Sequence, residues 1–283
     1  MTIFIHNGIR INEKEPFLVP ESRGYRYGDG FFESMKYSNG RLLHSDLHFI
    51  RIRKSAMLLK INLPENFNQE SLEKQIDEAA KTDDIVNARI RCTIFRESAG
   101  LYTPIHSDAS VLIEIQKIDT PGYEWNEQGL KLGAFNELTK NSNFTSTIKT
   151  NSALTYVMAG IYAKENGYDD CILYNDYGRV AETVASNIFI VSGEFINTPP
   201  LSEYCVDGVM RRVVMQLAQA YGYTIQEQPI SAISMHAADE IFLTSATRGI
   251  RWVEFFEGKR FRNTAAKVIH NLLNKVIPPD VKQ

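Results

Sequence analysis

A chain of 283 residues is too long for one small domain and suits two of moderate size or one large α/β unit. With 43% hydrophobic and 23% charged residues it has the make-up of a folded protein with a substantial core. A formal net charge of -3 provides no basic excess to hold a nucleic-acid backbone or an anionic membrane, so neither is an expected partner.

The N-terminal stretch "MTIFIHNGIRINEKEP" has no basic segment leading into an apolar run, and no 18 uncharged apolar residues follow one another. Neither a signal peptide nor a membrane span is expected. Cys92, Cys171 and Cys205 are odd in number and far apart. They read as reduced thiols in a cytoplasm, not as a disulfide framework or a metal knuckle.

In chain order, "TIFIHNG" alternates and ends in a turn pair, which predicts a strand entering a hairpin. "GDGFFESMKYSNGRLL" predicts a strand, an Asn39-Gly40 turn and a second short strand. The preceding "GYRYGDG" reads as a tight loop, because its glycine spacing is wrong for a dinucleotide turn. In "HSDLHFIRIRKSAMLLK" the period becomes helical, with Leu47, Ile50, Met57 and Leu58 sharing the expected apolar stripe. A second helix fits "NQESLEKQIDEAAKT", and "NARIRCTIFRE" and "ASVLIEIQKI" predict two long strands. Pro121, Gly122 and Gly129 then interrupt all periodicity, which sets a boundary near 119–129. The expected division is a small N-terminal α/β domain, 1–120, and a larger C-terminal α/β domain, 121–283.

The second half opens with a strand around 131–135, a polar loop and a helix directly after Lys149. Strands "DDCILYN" and "ASNIFIVSG" follow, joined by the turn "DYG". "CVDGVMRRVVMQLAQAYGY" is an amphipathic helix with Gly208 just before its first turn. "YTIQEQPI" is strand-like, "SAISMHAAD" a short helix, and "EIFLTSATRGIRWV" a strand, a small-polar loop and a strand. "NTAAKVIHNLLNKV" predicts a closing helix. Strands and helices interleave in both halves without a fixed repeat, so the expected fold is α/β (α+β) in two domains.

No Walker A, dinucleotide, H-E-x-x-H or G-x-S-x-G motif is present. Taken singly, the remaining polar features have two readings each. Gly208-Val209-Met210 is either a helix N-terminus offering amides to a phosphate or an ordinary loop-to-helix turn. Thr244 to Thr247 is a donor loop or a solvated turn. Arg51 is a rigid fork for a phosphate or a surface arginine. Glu182 faces a protonated nitrogen or fringes a sheet. Lys149 is a desolvated amine suited to Schiff-base chemistry or a solvated loop lysine.

In this order along the chain, these segments resemble the class IV (fold-type IV) pyridoxal-phosphate enzymes. That family includes branched-chain and D-amino-acid aminotransferases and 4-amino-4-deoxychorismate lyases. "ESRGYRYGDGFFES" is similar to its N-terminal signature, "HFIRIRKSA" to its phosphate-arginine helix, and "IKTNS" to its lysine segment. "VAETVASNIF" is similar to the strand of its pyridine-facing acid, and "DGVMRR" and "TSAT" to its two phosphate-holding turns. The resemblance implies pyridoxal 5'-phosphate bound between the small N-terminal and the larger C-terminal domain. Lys149 would carry the cofactor and act catalytically. Arg51, Gly208, Val209, Met210, Ser245, Ala246 and Thr247 would hold the phosphate, and Glu182 the pyridine nitrogen. A homodimer is implied, as is a substrate site that includes Tyr27 and Arg91, the latter on the strand where branched-chain enzymes carry a carboxylate-recognising arginine.

The expected reaction is amino transfer between a branched-chain-like α-amino acid and a 2-oxo acid. The alternative is a 4-amino-4-deoxychorismate lyase releasing 4-aminobenzoate and pyruvate, which Ala246 resembles better. A third reading is a non-catalytic protein on the same scaffold. Leu101-Tyr102-Thr103 stands where D-specific enzymes carry an Arg-x-His pair, and Leu154 where branched-chain enzymes often carry tyrosine.

Overall fold

The computed structural model describes residues 1–12, 14 and 18–277. By packing, the chain divides into two compact units, one of Met1–Gly122 with Lys149–Ser152, the other of Tyr123–Ile148 with Ala153–Val276. The short return of residues 149–152 to the first unit differs from the expectation that the C-terminal domain carries the lysine.

The first unit contains β1 (Thr2–His6), β2 (Ile9–Ile11), α1 (Arg23–Tyr27), β3 (Gly30–Ser38) and β4 (Arg41–Leu42). It continues with α2 (Ser45–Leu58), α3 (Gln69–Thr82), β5 (Ala88–Arg96) and β6 (Ala109–Lys117). The strands form one antiparallel sheet in the order β2-β1-β6-β5-β3-β4. Because strand side chains alternate between faces, Ile5, Glu33, Cys92 and Ile113 share one face, while Phe4, Ser34, Arg91 and Glu114 share the other. The first face is the core, closed by Ile52 and Ala56 of α2 and by Leu72, Ile76 and Ala80 of α3. A reciprocal Asn68–Ser71 capping box starts α3, an arrangement worth about 1 kcal/mol.

The expected stripe on α2 is not the buried one. Ile50 and Met57 are exposed, and His48, Arg51, Ile52, Ser55 and Ala56 face inward. The cause is Glu33, whose carboxylate lies on the core face of β3 and draws the two basic side chains to it. The "GYRYGDG" loop also begins with a helical turn, α1, anchored by the buried Arg23. Its guanidinium donates to Asp29 at 2.8 Å and to the carbonyl oxygens of Gly100, Leu101 and Tyr102.

The second unit contains β7 (Leu130–Lys140), α4 (Leu154–Glu165), β8 (Asp170–Asn175), β9 (Val180–Thr183), β10 (Asn187–Ser192) and β11 (Phe195–Thr198). It closes with α5 (Val209–Ala220), β12 (Thr224–Glu227), α6 (Ala232–Ala237), β13 (Glu240–Ser245), β14 (Gly249–Phe256), β15 (Lys259–Arg260) and α7 (Thr264–Lys275). Its mixed sheet runs β12-β11-β10-β13-β14-β7-β8-β9, with β15 added beside β14. The turn at residues 176–178 leads from β8 into β9, an extra strand ahead of β10, and β9 carries Glu182. One face packs Leu130, Ile172, Ile188, Ile241, Val253 and Phe256 into a continuous core. Among the described residues no helix is long and apolar enough to cross a membrane.

Candidate active site

The Lys149 segment is extended, and α4 starts only at Leu154. The helix expected directly after Lys149 is displaced because residues 149–151 pair with β3. The Phe32 amide donates to the Lys149 carbonyl at 2.9 Å and the Asn151 amide to the Gly30 carbonyl at 3.0 Å, flanking a Phe31–Thr150 bridge. Residue 30 must be glycine for this approach: a Cβ there would lie 2.4 Å from the Ile94 carbonyl oxygen and 2.7 Å from Asn151 Nδ2.

Lys149 Nζ lies 4.5 Å from the centre of the Phe32 ring, and the Arg91 guanidinium carbon lies 3.6 Å from the same centre. Both cations are therefore held by one aromatic ring. Arg91 Nε donates to Thr93 Oγ1 at 3.2 Å, and Glu114 Oε1 is 3.6 Å away. Burial lowers the Arg91 pKa and Arg89 lowers it further, while Glu114 opposes both. Tyr27 ends α1 with its ring against Arg23 and Tyr102.

Arg51 occupies the opposite face of the same sheet. Its Nε and Nη2 bind the two oxygens of Glu33 at 2.7 and 2.6 Å, and His48 Nδ1 lies 2.6 Å from Glu33 Oε2. Burial would raise the Glu33 pKa, but the Arg51 charge and the bonds from His48 and Arg51 outweigh it and bring it to about 2. His48 moves down, because its own burial and the Arg51 charge exceed the pull of Glu33.

In the second unit the buried Glu182 is the centre of a network. Oε1 accepts from Tyr156 Oη at 2.7 Å and from the Lys140 ammonium, and Oε2 accepts from the Val206 amide at 2.9 Å. Burial and the adjacent carboxylate push the Tyr156 phenol far up, so it stays a donor. Burial and the same carboxylate push the Cys205 thiol to about 12, so it stays protonated. Lys140, Tyr156 and Val206 were outside the sequence reading. The only signal for Lys140 was a lysine ending an alternating stretch.

The Val206 carbonyl in turn accepts from Asn187 Nδ2 at 2.8 Å, which ties Glu182 to the start of α5. Gly208 caps α5 without a side-chain bond, and no acidic residue lies in the first turn, so the Val209 and Met210 amides have no carboxylate competing for them there. Asp207, just outside, is neutralised by Arg212 at 2.9 Å. A Cβ on residue 208 would fall 1.9 Å from Asn187 Oδ1. Gly208→Ala is therefore expected to destabilise the protein by about 1–3 kcal/mol in urea titration. An unchanged midpoint would refute this packing constraint. Ser245, Ala246 and Thr247 form the β13–β14 turn, with Tyr123 Oη donating to the Ala246 carbonyl at 3.1 Å. Thr244 Oγ1, before that turn, is buried without a hydrogen-bond partner among the described residues; in the first unit the same holds for Asn151 Oδ1, two residues after Lys149.

The profile of the amino-transferase class IV family matches residues 30–254, most of the chain. The chain belongs to the class IV aminotransferase family. It is accordingly an enzyme, of the aminotransferase and lyase chemistry that the class IV family carries. A D-alanine aminotransferase of Bacillus licheniformis is 27% identical over 256 residues, covering 90% of this chain and 88% of its own. An aminodeoxychorismate lyase of Vibrio harveyi is 27% identical over 231 residues, covering 81% and 83%. The branched-chain aminotransferase of Thermoproteus uzoniensis, solved with norvaline, superposes with a TM-score of 0.85 at 24% identity, covering 96% of this chain and 93% of its own. At that identity the likeness establishes the class IV fold, here the two-domain α+β architecture. Relatives with three different reactions leave the class IV substrate open.

Proposed function

We propose that this enzyme is a pyridoxal-phosphate-dependent aminotransferase that moves an amino group between an α-amino acid with a branched-chain-like side chain and a 2-oxo acid. The observation that carries this reading is the Phe32 ring, which holds an amine, Lys149, and a carboxylate-binding fork, Arg91, within reach of one amino acid. The donor set fits the cofactor. A phosphate takes the Val209 and Met210 amides and the 245–247 turn; the orphaned Thr244 hydroxyl supports a polar occupant there. Glu182 suits a protonated ring nitrogen, with Oε2, which among the described residues accepts from the Val206 amide alone, as its acceptor.

Bound there, the cofactor supplies an electron sink for charge developing at the substrate Cα. Lys149 Nζ takes up and returns the Cα proton as general base and acid. Arg91 holds a substrate carboxylate, and Phe32 shields both cations on one side from water. Lys140, Tyr156 and the Val206 amide donate to both oxygens of Glu182 and so hold its carboxyl group in one orientation during turnover.

Homodimerisation and a cytoplasmic location belong to the same reading. The outward apolar residues Leu154, Val157, Met158 and Ile161 of α4 support the first, and three buried unpaired cysteines the second. A lyase releasing 4-aminobenzoate and pyruvate is the second reading, supported by Ala246 and the Vibrio relative. The test offers L-leucine with 2-oxoglutarate, D-alanine with 2-oxoglutarate, and 4-amino-4-deoxychorismate. L-Glutamate formed from the first pair alone is the expected result. D-Glutamate or 4-aminobenzoate as the main product would overturn it.

A further inference from the structure

The last pair of the β13–β14 hairpin is Ser245 with Gly249, so Ala246, Thr247 and Arg248 close it. Tyr123, buried at 5% exposure, lays its ring against the main chain at the far end of this turn. A Cβ on residue 249 would fall 2.6 Å from the ring Cγ. From there the phenol donates to the Ala246 carbonyl at 3.1 Å. Burial raises the phenol pKa, so the group remains a donor. The main chain of Tyr123 is itself clamped by one side chain of α7. Asn274 Oδ1 accepts from the Tyr123 amide at 2.9 Å, and Asn274 Nδ2 donates to the Tyr123 carbonyl at 2.9 Å. The same Nδ2 lies 3.1 Å from His270 Nε2, which fixes the amide from a third side.

We propose that Tyr123 is a positioning residue: through the Ala246 carbonyl it aims the Thr247 amide at the cofactor phosphate. This rests on the reading that the 245–247 turn holds that phosphate. The Ala246 carbonyl and the Thr247 N–H belong to one peptide unit, and in a planar trans unit the two point opposite ways. With the carbonyl drawn to a buried phenol, the Thr247 N–H is turned away from Tyr123, at a residue that is only half-buried. The bond also polarises the peptide unit and strengthens its N–H as a donor to an anion. Without the phenol the Ala246 carbonyl loses its buried partner. The peptide plane is then free to rotate and to bring a partial negative charge toward the phosphate. A residue from the segment before β7 thus sets the direction of a donor in the β13–β14 turn.

The test titrates the full-length apoprotein with pyridoxal 5'-phosphate and with pyridoxal, which lacks the phosphate, following the absorbance of the bound cofactor. Tyr123→Phe keeps the ring against Gly249 and the main chain on Asn274, so the fold is retained. It is expected to cut the preference for pyridoxal 5'-phosphate over pyridoxal by about tenfold, the worth of one hydrogen bond to a charged group. If Tyr123→Phe leaves that ratio unchanged, by weakening both ligands equally or neither, the role of Tyr123 falls and the phosphate reading stands. If the parent protein binds the two ligands equally well, the phosphate reading falls, and the role of Tyr123 with it.

Discussion

Replacing Lys149 with alanine is expected to abolish turnover while leaving the fold intact. Loss of a positioned acid-base and covalent group lowers kcat by about 10⁴-fold. The structural cost is small because the pairing with β3 uses the main chain of residues 149–151, which alanine retains. The contact with the Phe32 ring, worth about 0.5–1 kcal/mol, is lost with the amine. The two measurements are single-turnover rate with the best amino donor and the midpoint of thermal unfolding. A variant that turns over within tenfold of the parent would remove Lys149 from the chemistry.

The second large effect belongs to Glu33. Glu33→Ala strands Arg51 and His48 in the core and is expected to cost about 3–5 kcal/mol in denaturant unfolding. The same triad makes the protein acid-labile. Folded Glu33 sits at about 2 against an ordinary 4.5, so its contribution is complete above pH 4.5 and is lost as the pH falls through 2. The loss amounts to about 3 kcal/mol. His48 acts earlier in the same direction: held below its ordinary 6.5, it refuses a proton that the unfolded chain accepts, and stability starts to decline below that pH. Unfolding free energies of the parent and of Glu33→Gln between pH 7 and 2 check this. Equal slopes for the two proteins would refute it.

Much of the strand and helix order was legible because it rests on local pattern. The alternation in "TIFIHNG" and "NARIRCTIFRE", the Asn39-Gly40 turn and the period of "NQESLEKQIDEAAKT" are each decided by neighbours in sequence. The elements that were misread depend on distant partners. The buried side of α2 is polar because of a glutamate in β3, and no periodicity within the helix reveals that. The strand β9 is four residues long with a glutamate inside it, so "VAET" resembles a loop until Lys140, Tyr156 and Val206 are brought around that carboxylate. The start of α4 shifts because Gly30, more than a hundred residues away, accepts a hydrogen bond from Asn151. The site followed the same rule. Residue types such as Lys149 and Arg91 could be singled out by resemblance, but the ring that joins them, and the acid that restrains one of them, are products of sheet register.

The brief return of residues 149–152 to the first unit also bears on how this protein can be taken apart. The chain leaves the second unit at Lys149 and re-enters it at Ala153. A cut after Gly122 would therefore not release two self-sufficient modules. The N-terminal fragment would keep β3 with the Phe32 amide and Gly30 carbonyl unpaired, and the C-terminal fragment would carry the lysine with no strand to set its direction. Lys149 in its paired setting is not portable with either half of the gene, and any split-protein or domain-grafting design has to carry this four-residue stitch across with β3.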